Sequence, residues 1–96
     1  MSCQTSCVSY GGGWEIDPGT LEEAVRQWVE NHHPGEGERK AVDAFVRRLT
    51  DGPFIGIQDP NDKTLFRGRV PDANLVVVYI AEFTYRRIYV SEIVAP

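Results

Sequence analysis

Between Leu65 and Ile80 the chain reads LFRGRVPDANLVVVYI: an alternating segment, a Pro-Asp-Ala-Asn turn signal, and a nearly unbroken run of β-branched residues. Two such runs joined by a short turn pair as antiparallel strands, which limits the fold more than any other feature of the sequence. Side chains alternate along a strand, so Arg67 and Arg69 project to one face while Phe66 and Val70 project to the other. With Val70 set opposite Leu75 by the turn, Arg69 faces Val76 and Arg67 faces Val78. One side of the hairpin is apolar and the other is cationic.

A third strand extends this hairpin. Strands are expected over about residues 65–70, 74–81 and 86–93, joined by the turns PDAN and EFTY. If Phe83-Thr84 is a two-residue turn, Val78 faces Tyr89, Val76 faces Ser91 and Ile80 faces Arg87; any even loop length keeps the same parity. Phe66, Val70, Leu75, Val77, Tyr79, Ile88 and Val90 then form a core face. The opposite face carries Arg67, Arg69, Arg87, Tyr89 and Ser91, with Val76, Val78 and Ile80 between them.

Upstream, Trp14-Glu15-Ile16 reads as a short edge strand ended by the turn signal Asp17-Pro18-Gly19. Thr20 and Glu23 have capping-box spacing, which predicts a helix start at Thr20. Leu21, Ala24, Val25, Trp28 and Val29 follow at helical spacing until HHPGEG. A second helix is expected over about residues 38–49, with Ala41, Val42, Phe45, Val46 and Leu49 inward, and the short intervening loop makes the two helices an antiparallel pair. Residues 54–64 contain Gly56 and the turn residues Asp59-Pro60-Asn61-Asp62 and read mainly as a loop. The expected fold class is therefore α+β: a short N-terminal strand, an antiparallel helix pair, then a three-stranded antiparallel meander, β-α-α-β-β-β.

The chain has 96 residues, room for a single domain over 14–96 after a flexible lead-in, 1–13. No apolar run approaches the length of a membrane span, and the start of the chain has neither a basic segment nor an apolar segment of the signal type, so a cytoplasmic protein without membrane association is expected. Cys3 and Cys7 read as free thiols of the lead-in, since two cysteines without further ligands make a poor zinc site. His32 and His33 follow the first helix, where its dipole favours them, and adjacent histidines seldom converge on one ion. No metal and no cofactor is expected. The formal charge of −4 disfavours a general nucleic-acid binder, but Lys63, Arg67, Arg69, Arg86 and Arg87 make the C-terminal third locally cationic.

Two readings fit the cationic face. It is the solvated side of an antiparallel sheet, where long arginine stems cover valines. Alternatively, Arg67, Arg69 and Arg87 hold a phosphate or carboxylate group beside Tyr89, because guanidinium forks bind such groups bidentately. Arginine stabilises anionic charge but does not shuttle protons at neutral pH, so in any RNA cleavage Tyr89 is the candidate catalytic group.

The order Trp14-Glu15-Ile16, helix pair, Gly52-Pro53-Phe54-Ile55-Gly56, Phe66-Arg67-Gly68-Arg69-Val70, Val76-Val77-Val78-Tyr79 and Arg87-Ile88-Tyr89-Val90 resembles the RelE/ParE superfamily of toxins from bacterial type II toxin–antitoxin pairs. The resemblance spans about residues 14–93 and rests on the order and spacing of loose motifs. It implies a RelE-like topology and a cognate antitoxin that wraps the toxin. RelE-like members cleave mRNA on the ribosome, whereas ParE-like members inhibit DNA gyrase without nuclease activity. A third outcome is a non-toxic interaction domain on the same fold. Two alternate lysines of RelE-like strands fall on Arg67 and Arg69. An arginine expected on the next strand falls on Val76, another falls near Pro96, and no C-terminal tyrosine matches. The resemblance thus implies a ribosome-dependent endoribonuclease only with most of the family's catalytic set missing.

Overall fold

The computed structural model describes residues 13–96, so the expectations for Cys3, Cys7 and all but the last residue of the lead-in lie outside the described residues. The chain runs through β1 (Glu15–Ile16), α1 (Pro18–His32) and α2 (Glu36–Arg48), then two short 3-10 turns at Leu49–Asp51 and Pro53–Ile55. It continues through β2 (Ile57–Asp59), β3 (Asp62–Arg69), β4 (Val76–Glu82) and β5 (Arg87–Val94). Among the described residues the fold is α+β, with two α-helices and five strands in the order β1-β5-β4-β3-β2. The sheet is mixed, because β1 runs parallel to β5 and the other neighbours are antiparallel.

Asp17 rather than Thr20 starts the first helix. Its carboxylate accepts the Thr20 backbone N–H at 2.9 Å, and Pro18 occupies the first helical turn, where a missing N–H costs nothing. The expected Thr20–Glu23 box does not form, and Glu23 instead pairs with Arg26. His33 ends α1 in the left-handed conformation, with its N–H bonded to the Val29 carbonyl at 3.0 Å. α2 begins two residues before the expected position, because the Glu38 carboxylate reaches back to the Gly35 N–H at 3.0 Å. Arg48 is its last residue, and Leu49 falls in the first 3-10 turn.

Ala24 and Trp28 of α1 and Val42, Phe45 and Val46 of α2 are buried against Phe66, Val77, Tyr79, Ile88 and Val90 of the sheet. Burial of each large apolar side chain contributes roughly 2 kcal/mol, so this layer is the main stabilising element. Phe66 and Tyr79 are cross-strand partners whose rings stack at 5.5 Å. Trp28, read as core from its helical stripe, is 3 % exposed.

Three departures from the expected sheet matter for the site. The segment read as a loop contains β2, which pairs Ile57 with Arg67 and Gln58 with Phe66, so the sheet has five strands rather than four. The β4–β5 connection has four residues, 83–86, with Arg86 at φ 53, so Arg87 faces Glu82 and Tyr89 faces Ile80. Finally, Tyr79 pairs with Val90 but Val78 pairs with Glu92, which leaves Ser91 as the extra residue of a bulge. The bulge brings Glu92 opposite Val78 and turns Ile93 inward, to 4 % exposure.

Candidate functional site

The face of the sheet opposite the buried core is read directly from the register. β3 contributes Arg69, Arg67 and Leu65, and β4 contributes Val76, Val78 and Ile80 opposite them in that order. On β5 the same rows continue to Val94, Glu92 and Tyr89. The expected facing of Arg69 to Val76 and of Arg67 to Val78 is observed. Arg67, Arg69 and Tyr89 therefore share one side of the sheet, but not one point on it. Tyr89 lies two strands from β3, a lateral separation of roughly 10 Å, and in the row of Leu65 rather than of either arginine.

Arg87 belongs to the same face by register but serves a different purpose. One terminal nitrogen donates to Glu15 Oε1 at 3.1 Å and the other to Asp17 Oδ1 at 3.1 Å. The Asp17 hydrogen bond is the largest influence that raises the Arg87 pKa, against the cost of desolvation. The side chain clasps β5 to β1 and to the start of α1. A guanidinium with both ends committed to carboxylates is a poor phosphate ligand.

Asp17 is the hub of this clasp. The Thr20 backbone N–H is the largest influence that holds its carboxyl below the ordinary value of 3.8, followed by the Arg87 side chain. A depressed native pKa means that the folded state favours the carboxylate. The stability it contributes is full above the unfolded-state value and is lost as pH falls through the native one. We expect thermal unfolding to shift downward between about pH 5 and about pH 3. In Asp17→Asn, which keeps an N-capping acceptor but not the charge, this shift should be smaller. Melting curves of the two proteins across that range make the comparison, and equal slopes would contradict it.

Arg67 and Arg69 are exposed and less constrained. Arg67 has one carboxylate neighbour, Asp59 at 3.9 Å, a loose contact that contributes little. The Arg69 side chain makes no ion pair or hydrogen bond among the described residues. Both line a depression of ≈ 280 Å³ together with Ile57, Asp59 and Val76. A second depression, ≈ 410 Å³, opens where Ile80 and Tyr89 meet the wall formed by Gly19, Thr20, Glu23 and Gln27 of α1.

The sequence did not reveal Ile57, Asp59 and Glu92 as members of this face. Ile57 and Asp59 were hidden by the turn signals around them, and Glu92 arrives only through the bulge at Ser91. Among the described residues no group of three or more His, Cys, Asp or Glu side chains could hold a metal ion. No described helix is long and apolar enough to cross a membrane. Comparisons with protein-family models, with curated proteins and with solved structures found no significant match to the chain.

Proposed function

We propose that the chain is a RelE/ParE-like toxin of a cytoplasmic toxin–antitoxin pair, and that it acts by binding a target rather than by cleaving RNA. The observation that carries the noncatalytic reading is the separation of the candidate groups. Arg87 is bonded to Glu15 and Asp17, while Tyr89 lies two strands from the pair Arg67 and Arg69. Phosphodiester cleavage needs a proton acceptor, a charge stabiliser and a proton donor around one phosphate, and this face does not gather them. The order of elements and the alternate arginines support the toxin part of the reading.

Expression in a bacterial host, alone and with the product of a small neighbouring reading frame, tests the proposal. Growth should stop with the chain alone and resume with the neighbour. The triple variant Arg67→Ala, Arg69→Ala, Tyr89→Phe should still stop growth, and purified protein mixed with ribosomes and mRNA should produce no new RNA ends. DNA damage markers in arrested cells would point to gyrase as the target. Loss of growth arrest in the triple variant together with RNA cleavage by the parent would sink the noncatalytic reading. Normal growth under expression would sink the toxin reading.

A further inference from the structure

A cavity of ≈ 220 Å³ opens between α1 and α2, and every residue that lines it belongs to one of these helices. Leu21, Val25 and Trp28 of α1 wall one side, and Val42 and Val46 of α2 wall the other. Three of these five are valines, and a β-branched side chain in a helix is held in one rotamer, so it cannot swing across to close the gap. The space is built in. Trp28 is 3 % exposed and its indole N–H finds no acceptor among the described residues, so the protein leaves this wall with an unsatisfied buried donor.

The rim is polar and carries one uncommitted charge. Arg39 and Asp43, one turn apart on α2, are the exposed members of the lining. Asp43 is paired with Arg47 at 3.0 Å. The Arg39 side chain makes no ion pair or hydrogen bond among the described residues. An apolar chamber with an unpaired guanidinium at its mouth selects for a guest with an apolar body and one anionic end.

We propose that this cavity binds a small organic acid, its apolar ring or chain between the valines and its carboxylate on Arg39. Size favours such a guest. A dry apolar cavity of about 150 Å³ admits a benzene ring, so ≈ 220 Å³ leaves space for a ring and a short arm. Leu21 and Trp28 lie seven residues apart on α1, as do Arg39 and Val46 on α2, which gives the chamber about 10 Å of helix on each side. A nucleotide or a larger cofactor needs a site of roughly 300–1,000 Å³. A neutral hydrocarbon would leave Arg39 unused, and an amine would meet its charge. The site shares no residue with the arginine face of the sheet, and the inference does not rest on the toxin reading.

The probes are phenylpropionate and its neutral and cationic counterparts, phenylpropanol and phenylpropylamine. Phenylpropionate should bind the full chain with a Kd of about 1 mM or below, and should shift the amide resonances of residues 21–28 and 39–46. Phenylpropanol should bind about fivefold more weakly, and the amine more weakly still. Arg39→Glu, at an exposed position, should reverse the order of acid and amine, a result that a misfolded protein would not give. Val25→Phe, which fills the cavity from a half-buried position, should abolish binding of all three, with circular dichroism to show that the helices persist. If that variant loses its helices, the reversal in Arg39→Glu decides alone. Equal affinity for the three compounds, no binding of any at about 10 mM, or resonance shifts centred on Arg67 and Arg69 would overturn the inference. None of these readouts uses growth arrest, so the toxin reading and the organic-acid site can fail separately.

Discussion

Alanine at Gly68 is expected to destabilise the domain by about 3 kcal/mol, a fall of roughly 12–24 °C in melting temperature for a chain of this size. Gly68 lies between Arg67 and Arg69 on β3 and is buried on the helix side, paired with Val77. The Phe45 ring of α2 stands directly over it. An added Cβ would lie 3.0 Å and 3.1 Å from Phe45 Cε1 and Cε2 and closer still to Cζ, well inside ordinary carbon contact distance. Phe45 is 2 % exposed, and its ring sits 6.3 Å from that of Tyr79, so it has little space into which to retreat. The clash is with a side chain, and this makes the prediction separable from general damage. Phe45→Leu alone should cost stability, yet Gly68→Ala should cost much less in the Phe45→Leu background than in the parent. Denaturant unfolding of the four proteins measures the coupling. Strict additivity would show that the helix does not rest on β3 in this way.

This glycine also shows how the sequence was and was not readable. The alternation Phe66-Arg67-Gly68-Arg69-Val70 gave the correct face for both arginines, because period two survives whatever the core-facing residue is. It could not show that Gly68 makes room for a ring arriving from a residue 23 positions earlier. The β3–β4 register was recoverable because Val70 N–H bonds to the Leu75 carbonyl at 3.0 Å across the short turn. The β4–β5 register was not. Its four-residue turn has Arg86 in a left-handed conformation that non-glycine residues seldom announce, and the bulge at Ser91 then changes phase within the strand.

Helix termini and the site failed for related reasons. Asp17-Pro18 is as suitable for a turn as for an N-cap followed by the first helical residue, and only the bond from Thr20 N–H to Asp17 distinguishes them. The same aspartate joins Glu15 in holding Arg87, which is 70 residues away from it in sequence. Strand alternation therefore placed Arg87 on the right side of the sheet but could not reveal that its guanidinium was already occupied. A cationic residue becomes a ligand-binding candidate only when its carboxylate neighbours are known, and those neighbours come from tertiary pairing.

Gly56→Ala should be comparably damaging, at about 3 kcal/mol, through a clash that no single side-chain truncation removes. The residue precedes β2 at φ −102, an extended conformation open to any amino acid, so the constraint is space rather than backbone strain. A Cβ there would lie 2.9 Å from the Arg67 carbonyl oxygen and 3.1 Å from its carbon, and closer still to the Tyr79 hydroxyl. That hydroxyl donates to the Pro53 carbonyl, and burial pushes its pKa up to about 12. The methyl group must displace both the hydroxyl and the β2–β3 ladder, which loosens Ile57 and Asp59 from their places beside Arg67. Tyr79→Phe relieves only one of these clashes, so Gly56→Ala should remain strongly destabilising in that background, unlike the Gly68 and Phe45 pair. Titration adds a second readout. A raised native pKa means that unfolding releases a proton once pH exceeds the unfolded-state value, so the parent should lose stability between about pH 10 and about pH 12. In Gly56→Ala the displaced hydroxyl should ionise closer to pH 10, and this part of the alkaline loss should shrink. Ultraviolet difference titration of the tyrosines, with hydrogen exchange of the β2–β3 amides, would detect both changes. An unchanged exchange pattern would show that Gly56 does not hold the edge of the arginine face.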